Sequence, residues 1–236
     1  MTAFDLSREQ ARRGLQQWSG FPADRQPRPL VLLFPAVRAG GFPDVDKKMA
    51  FLSGAIDAAP AFPATVLQAL RTQRARTTYA GPPLTVTTAT PASTKFCTDR
   101  GRLELPAWEV RATDVRESIW VLDPSLSEQA WQPPAPYVPD WPGSTAVLKA
   151  DGRTVTMTFS GSPYADYPDA AIVEAGAAVA IVPTPVFIAP DTSASSAMQG
   201  GMPLVGQARR ITISLARALD GRVLLDDSGS PVMVTT

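Results

Sequence analysis

The chain contains no histidine and no asparagine. Without an imidazole, the sequence excludes a Ser-His-Asp or Cys-His relay and a histidine general base. It also excludes the common zinc sites, because one cysteine supplies too few ligands in their place. Carboxylate, lysine, tyrosine or serine chemistry and oxygen-bound hard cations stay open. A GC-rich genome produces the same two absences without a functional cause, and we prefer that interpretation.

Cysteine and excess charge are also scarce. Cys97 is the single cysteine, which excludes an internal disulfide and fits either a reducing compartment or an exported protein without disulfides. Lys+Arg and Asp+Glu number 22 each, so the formal net charge is zero. This balance predicts no partnership with nucleic acid or anionic lipid. We interpret the basic stretch at residues 71–76 as a solvated helix end.

Long apolar runs are missing as well. No window approaches the roughly 18 apolar residues that a membrane span requires. The first residues, MTAFDLSREQ, lack the basic start and apolar core of a signal peptide. The sequence therefore predicts a cytoplasmic protein without a membrane span. The alternative is the mature segment of an exported protein whose leader lies outside this sequence.

The N-terminal third mixes helical and strand patterns. In residues 4–18, apolar side chains recur at helical spacing, and Asp5 or Ser7 is the expected cap. Residues 29–37 are a continuous apolar run closed by prolines, which predicts a buried strand. Residues 62–73 predict a second helix. The stretch KKMAFLSGAI between them fits either a strand or a short helix.

From Tyr79 onward, apolar residues alternate with threonines at the period of a half-buried strand. The pattern is clearest in residues 83–90, 153–161 and 209–219. Turn residues follow or precede these segments at Asp151-Gly152, Asp220-Gly221 and Ser228-Gly229, which predicts three hairpins.

These patterns predict an α+β fold. Residues 1–80 form a mixed α/β N-terminal region, and residues 81–236 form a predominantly antiparallel β-sandwich or barrel. No flexible linker separates the two regions, so we expect them to pack as one unit.

Pro106 interrupts an otherwise regular strand pattern. Leu103 and Leu105 share one face, but beyond the proline the apolar positions shift to Trp108 and Val110. A β-bulge or an edge position at Pro106 explains both the shift and the missing backbone donor.

Several stretches resemble a known family. The segments TDRGRLELPAWEV, IWVLDP, DGRTVTMTFSG and the closing ARRITISLARALDGRVLLDDSGSPV, with PLVLLFPAVRAGGFPD upstream, are similar to an uncharacterised family of actinobacterial proteins, many of them lipoprotein-like. The resemblance spans residues 29–236, and Asp-Arg-Gly with Leu-Pro-Ala-Trp is its most specific part. It implies a β-rich fold and carries no assigned activity or catalytic residues.

Carboxylate pairs do not indicate a metal or catalytic site. Asp44 and Asp46 lack the continuation of a calcium loop, and Asp226 and Asp227 point to opposite faces of a strand. Residues 160–169 combine hydroxyls, tyrosines and aspartates in a loop, which fits a small polar pocket and equally an ordinary turn. We assign no catalytic residue, metal or cofactor.

The segment WQPPAPYVPDWPG, residues 131–143, concentrates aromatic residues and prolines. It fits a stiff connector anchored by its tryptophans, and it also fits a binding platform. The candidate binding residues are Trp131, Tyr137, Trp141, Tyr164 and Tyr167. We predict a non-catalytic binding or assembly module that acts through a protein surface, with another protein or a second copy as partner. The alternative is a hydrolase that binds carbohydrate or a small molecule and uses carboxylates.

Overall fold

A computed structural model describes residues 2–72, 78–133, 143–188 and 206–236. These ranges contain the helices α1 (Ala3–Gln17), α2 (Val45–Ser53), α3 (Ala64–Thr72) and α4 (Pro124–Ser127). The strands in chain order are β1 (Val37–Arg38), β2 (Ile56–Ala58), β3 (Leu84–Thr98), β4 (Gly101–Ala112), β5 (Ile119–Leu122), β6 (Ser144–Leu148), β7 (Thr154–Gly161), β8 (Ala165–Glu174), β9 (Ala178–Phe187), β10 (Gln207–Ser214), β11 (Val223–Leu225) and β12 (Met233–Thr235).

Sheet 1 has the strand order β1-β5-β4-β3-β2, and the long β3–β4 hairpin forms its centre. Helices α2 and α3 contribute Phe51 and Leu70 to the core on one face, where they meet Val110. The opposite face holds a smaller cluster that includes Phe96 and Leu122. Sheet 1 therefore carries a core on each face.

Sheet 2, in the order β10-β7-β6-β12, and sheet 3, in the order β11-β9-β8, share a second core. Met157 of sheet 2 and Ile181 of sheet 3 belong to it. Helix α1 covers the other face of sheet 3 through Leu15 and Trp18. Because sheet 3 is covered on both sides, every residue of 178–184 in β9 is buried.

An α+β fold with a β-rich body is therefore confirmed. The narrower sandwich or barrel stays a prediction. Sheets 2 and 3 do share a core, but each of the three sheets contains one parallel pair: β12 with β6, β11 with β9, and β2 with β3.

The boundary near residue 80 also stays a prediction. Strand β2 precedes that residue and pairs with β3, which follows it. Helix α1, at the N-terminus, packs against β8 and β9. Elements from both sides of residue 80 thus share a sheet and a core.

The predicted helices occur, and α1 begins earlier than expected. Thr2 is its N-cap, where its hydroxyl accepts from the Asp5 N–H, and the Asp5 carboxylate accepts from the Thr2 N–H. The predicted caps, Asp5 and Ser7, were wrong because this reciprocal capping box places Asp5 inside the first turn. The ambiguous stretch after residue 47 divides into the end of α2 and the beginning of β2.

The apolar run 29–37 is buried in part but is not a continuous strand. Leu30 and Leu32 form isolated bridges to Ala130 and Thr98, and strand β1 begins only at Val37. The prediction of one strand was wrong because the run changes partners along its length.

Pro106 lies inside β4 without a bulge. It stands opposite Ser93, and the register of the hairpin shifts only between Val86 and Thr88. Strand β5 pairs with β4 only from Ala107 onward, so no neighbour requires a donor from the proline. The apolar positions shift because Leu105 faces the small cluster whereas Val110 faces the larger core.

Of the three predicted hairpins, one joins two full strands, a second is a short hairpin with a single bridge, and the third prediction was wrong. Asp151-Gly152 joins β6 to its antiparallel partner β7. The turn at Ser228-Gly229 forms a short hairpin with one antiparallel bridge, Leu225 to Pro231, before the chain passes from β11 in sheet 3 to β12 in sheet 2. The turn at Asp220-Gly221 instead connects strands of different sheets. The positive φ values of Asp220 and Gly229 confirm the turns themselves. Turn chemistry predicts a reversal of the chain and does not select the strand that pairs next.

Candidate functional site: an arginine pocket on sheet 1

A pocket with a volume of about 580 Å³ lies where β1, β4 and β5 meet. We name it the arginine pocket, and its lining residues are Arg38, Ala39, Gly40, Arg111, Arg116, Glu117, Ser118 and Trp120. Strand register explains why these residues meet. Arg38 stands opposite Trp120, and Trp120 stands opposite Glu109. Their neighbours Val37, Val121 and Val110 point into the larger core. Alternation then places the polar row on the other face.

Arg38 is the central cation of this pocket. Its Cζ lies 4.6 Å from the centroid of the Phe96 ring, and its Nη2 donates to the Thr94 hydroxyl at 3.0 Å. The Nε is buried and has no hydrogen-bond partner among the described residues. Burial lowers the pKa of Arg38, and the Cys97 thiol opposes that shift weakly. No carboxylate in the described part of the chain forms an ion pair with it.

Arg111 differs because its charge is compensated. Its Nη2 donates to Glu109 Oε1 at 2.6 Å, and the Ser118 hydroxyl donates to the same oxygen at 2.5 Å. Glu109 therefore holds both side chains at one wall of the pocket. The Ser118 hydroxyl therefore directs its proton at a carboxylate that Arg111 also neutralises.

The remaining wall combines Arg116 and Glu117 with a glycine pair. A Cβ atom on Gly40 would lie 2.7 Å from Glu117 Oε2, and one on Gly41 would lie 2.8 Å from Glu117 Cγ. Gly41 also has a φ of +66°, which favours glycine. The glycines thus leave space for the Glu117 side chain. Because Glu109 compensates Arg111, Arg38 and Arg116 stand against Glu117, and the site keeps one net positive charge.

This arrangement can bind an anionic group. Guanidinium groups donate to carboxylate or phosphate in a fixed fork, and an aromatic ring beside them provides apolar contact. Trp120 is half-buried and offers such a ring. The pocket therefore has the donors of an anion site.

Trp131 lies outside this pocket, in the cluster that covers sheet 3. Its ring centroid is 4.8 Å from that of Trp18 and 5.3 Å from that of Phe21. Its N–H donates to the Leu30 carbonyl at 2.9 Å. These contacts anchor the beginning of the proline-rich segment. Tyr137 and Trp141 lie outside the described residues.

Tyr164 lies in the turn between β7 and β8, and Tyr167 lies near the beginning of β8. The Tyr167 hydroxyl accepts from the Ser162 N–H at 2.8 Å, and its ring packs edge-on against Phe159 at 5.0 Å. The Tyr164 carbonyl accepts from the Ile188 N–H at 3.0 Å. Trp131 and Tyr167 belong to different core clusters, so the structure does not bring these two candidates together.

The carboxylates considered from the sequence have local partners. Asp44 caps α2 by accepting from the Lys47 N–H. Asp226 is buried, and one of its oxygens accepts from the N–H groups of Ser228 and Ser230. Burial raises the pKa of Asp226, and the Ser228 hydroxyl opposes that shift. In the described ranges, no group of three or more cysteine, aspartate or glutamate side chains is arranged to hold a metal ion.

Sequence reasoning missed the arginine pocket. Arg38 sits between an apolar run and two glycines, and nothing local marks it as buried. The one available signal was alternation, which places Arg38 and Trp120 on the faces opposite Val37 and Val121. That signal becomes useful only when β1 is known to pair with β5.

Comparison of the chain with models of known protein families, with curated proteins and with solved structures finds no match. Within the described ranges, no helix has both the length and the apolar character needed to cross a bilayer.

Proposed function

We propose that the protein is a non-catalytic binding module that uses the arginine pocket to recognise an acidic segment of a partner polypeptide. The observation that carries this proposal is Arg38, a half-buried cation without a carboxylate partner among the described residues. A desolvated charge is costly unless another charge compensates it. A carboxylate from a partner compensates it through charge-assisted hydrogen bonds.

The shape of the site supports a polypeptide over a small molecule. The arginine pocket opens broadly to solvent, so a group presented on a larger partner reaches it easily. Arginine and tryptophan are also enriched where protein interfaces derive most of their binding energy. Arg38, Arg116 and Trp120 form such a set.

The hydrolase alternative receives no comparable support. It requires two carboxyls facing each other across a cleft. The buried Asp99 pairs with Arg28, and the buried Asp226 completes a turn. The family resemblance and a cytoplasmic or exported location stay proposals beside this one.

The proposal is tested by calorimetric titration of the protein with a hexaglutamate peptide, with hexaglutamine as the uncharged match. We expect hexaglutamate to bind and hexaglutamine not to bind. Arg38→Gln and Arg116→Gln should each weaken binding by about 10-fold or more, because each removes a charge-assisted hydrogen bond. Arg102→Gln, an exposed arginine outside the pocket lining, is the control and should leave affinity unchanged.

The melting temperature of each variant separates a folding defect from a binding defect. Arg116 is exposed, so its replacement tests the site even if Arg38→Gln unfolds the protein. Equal loss in Arg102→Gln, or full affinity in Arg116→Gln, would overturn the proposal. Binding of inorganic phosphate as tightly as hexaglutamate would replace the acidic peptide with a free anion.

A further inference from the structure

A second pocket lies at the junction between sheet 1 and the α1 cluster. We name it the junction pocket. Residues from three segments line it: residues within 25–30, Arg100 and Leu105 of the β3–β4 hairpin, and residues within 126–131. Its volume is about 370 Å³. This volume falls within the range of small-molecule sites, which is about 300–1,000 Å³. Its three segments are distant in the sequence, so only the folded chain creates it.

One wall of the junction pocket is fixed by a buried ion pair. The Arg28 side chain is 6% exposed and that of Asp99 is 3% exposed. The Arg28 Nε also donates to the Gly221 carbonyl at 2.6 Å, and Nη1 donates to Asp99 Oδ1 at 3.3 Å. Arg28 is thus fully engaged by the protein and is not available to a ligand. It holds the segment 25–30 in place.

The apolar part of the wall is contributed by leucines and an indole. Leu105 of β4 and Leu126 of α4 are each half-buried and line the pocket. Trp131 lines it beside them, with its ring held by Trp18 and Phe21. Because two aromatic neighbours fix the indole, it offers a pre-formed apolar surface at little entropic cost.

The rim of the pocket carries two cations that have no ion-pair partner in the described ranges. Arg25 and Arg100 are both exposed, and Glu128 is the acidic residue of the lining. Two arginines against one glutamate favour a negatively charged group at the rim. The leucines and Trp131 below them favour an apolar body.

We propose that the junction pocket binds a small organic anion, with its carboxylate at Arg100 and Arg25 and its apolar body against Leu105, Leu126 and Trp131. The ligand class is an aromatic or short-chain carboxylate. This site is separate from the arginine pocket, because the two share no lining residue. A ligand that contacts all three segments stabilises the folded junction, because it binds the folded chain alone.

The probe for this site is 2-naphthoate, with 2-naphthylmethanol as its uncharged match. We expect 2-naphthoate to bind in calorimetric titration and to raise the melting temperature of the protein. 2-Naphthylmethanol should bind about 10-fold more weakly or not at all, because it lacks the charged acceptor. Binding of both probes with equal affinity would overturn the assignment of an anion site.

Two variants locate the binding. Arg100→Gln should weaken 2-naphthoate about 10-fold while leaving 2-naphthylmethanol unchanged. Leu126→Trp should block both probes, because the larger ring fills the cavity. Arg102→Gln, on the same hairpin and outside the lining, should bind 2-naphthoate like the unmodified protein. Unchanged 2-naphthoate affinity in both Arg100→Gln and Leu126→Trp would overturn the proposal.

A cross-test keeps this proposal apart from the first one. Arg116→Gln should bind 2-naphthoate normally, and Arg100→Gln should bind hexaglutamate normally. Loss of 2-naphthoate binding in Arg116→Gln would contradict two separate sites.

Discussion

Arg28 and Asp99 form the most buried ion pair of the described residues. Burial raises the pKa of Asp99, and the hydrogen bonds and positive charge of Arg28 oppose that shift. Arg28 therefore stabilises the ionised form of the buried Asp99 side chain. Removing one member leaves the other charged and buried.

Arg28→Met is expected to lower the free energy of unfolding by about 3–5 kcal/mol at neutral pH. Without Arg28, burial is opposed only by the Arg100 charge and a backbone hydrogen bond, so the folded-state pKa of Asp99 stays above the unfolded value. The free energy of unfolding of the variant should therefore fall as the pH rises through the pKa of Asp99. Its loss of stability relative to the unmodified protein should be smaller at pH 4 than at pH 7. Urea unfolding measures both effects.

The matched control for this prediction is Arg13→Met, which removes an exposed partner of Glu9. That pair is separated by 3.7 Å, with side chains 71% and 51% exposed. Its loss should change stability by no more than about 0.5 kcal/mol. Equal deficits in the two variants would show that burial does not govern the Arg28 pair.

The pKa of Asp151 is lowered, whereas that of Asp99 is raised. The Asp151 carboxylate accepts from the Thr154 hydroxyl and from the N–H groups of Thr154 and Arg153. These bonds lower its pKa to about 2. The carboxyl carbon should titrate near pH 2 by NMR, and Thr154→Val should raise that midpoint toward the ordinary value.

The lowered pKa of Asp151 makes the stability of the protein depend on pH. A lowered pKa means that the turn is fully stabilised above the unfolded pKa of Asp151 and loses that contribution as pH falls toward 2. A midpoint near 4 in the unmodified protein would contradict these hydrogen bonds.

Among the elements, α1 docks through a close approach of two glycines. A Cβ on Gly14 would lie 3.1 Å from Gly229 Cα, and Gly229 has a φ of +77°. The indole Nε1 of Trp18 donates to the Gly229 carbonyl at 3.1 Å. The turn before β12 therefore fixes where α1 lies on sheet 3.

Gly229→Ala should lower the melting temperature, with a loss of about 1–3 kcal/mol, because alanine is strained at this φ and contacts Gly14. Gly20→Ala is the control, since no atom lies within 4 Å of its added Cβ. Thermal unfolding compares them. A Gly229→Ala protein as stable as Gly20→Ala would mean that α1 is not held by this contact.

Strand β4 shows how one element serves two cores. Leu105 and Val110 lie on opposite faces of β4. Each face carries apolar residues only along the part of the strand that a core cluster covers. Local periodicity assumes one buried face, so it predicted a bulge or an edge position at Pro106. The tertiary structure removes the need for a bulge because two clusters cover successive parts of the strand.

At the scale of the whole molecule, the turn between β3 and β4 joins the sheets. The Asp99 N–H donates to the Val31 carbonyl, and the Val234 N–H donates to the Asp99 carbonyl. Arg28 adds its bond to Gly221. The turn thus contacts the segment before β1 and strand β12, and Arg28, the ion-pair partner of Asp99, contacts the connection to β11.

These links predict that the protein unfolds in one cooperative transition. With 5-fluorotryptophan incorporated, the fluorine signals of Trp18 and Trp120 should lose their native intensity at the same urea concentration. Trp18 reports on the α1 cluster and Trp120 on sheet 1. Two separate midpoints would instead show that the sheets unfold independently.

The sequence by itself determined the local elements and the fold class. Helix α1 and strands such as β7 and β10 follow from apolar spacing, because that spacing depends only on neighbours along the chain. The turns at Asp220 and Gly229 follow from residues that tolerate positive φ. The same patterns also predicted the α+β class correctly.

Only the tertiary structure decided which strands pair and where charge is compensated. Asp99 lies 71 positions from Arg28, and Arg38 meets Trp120 only because β1 pairs with β5. Whether an arginine is neutralised, as Arg28 is, or left without a carboxylate partner among the described residues, as Arg38 is, depends on such distant contacts. The free energy of a buried arginine depends on whether a carboxylate compensates its charge, and the local sequence pattern does not show whether one does.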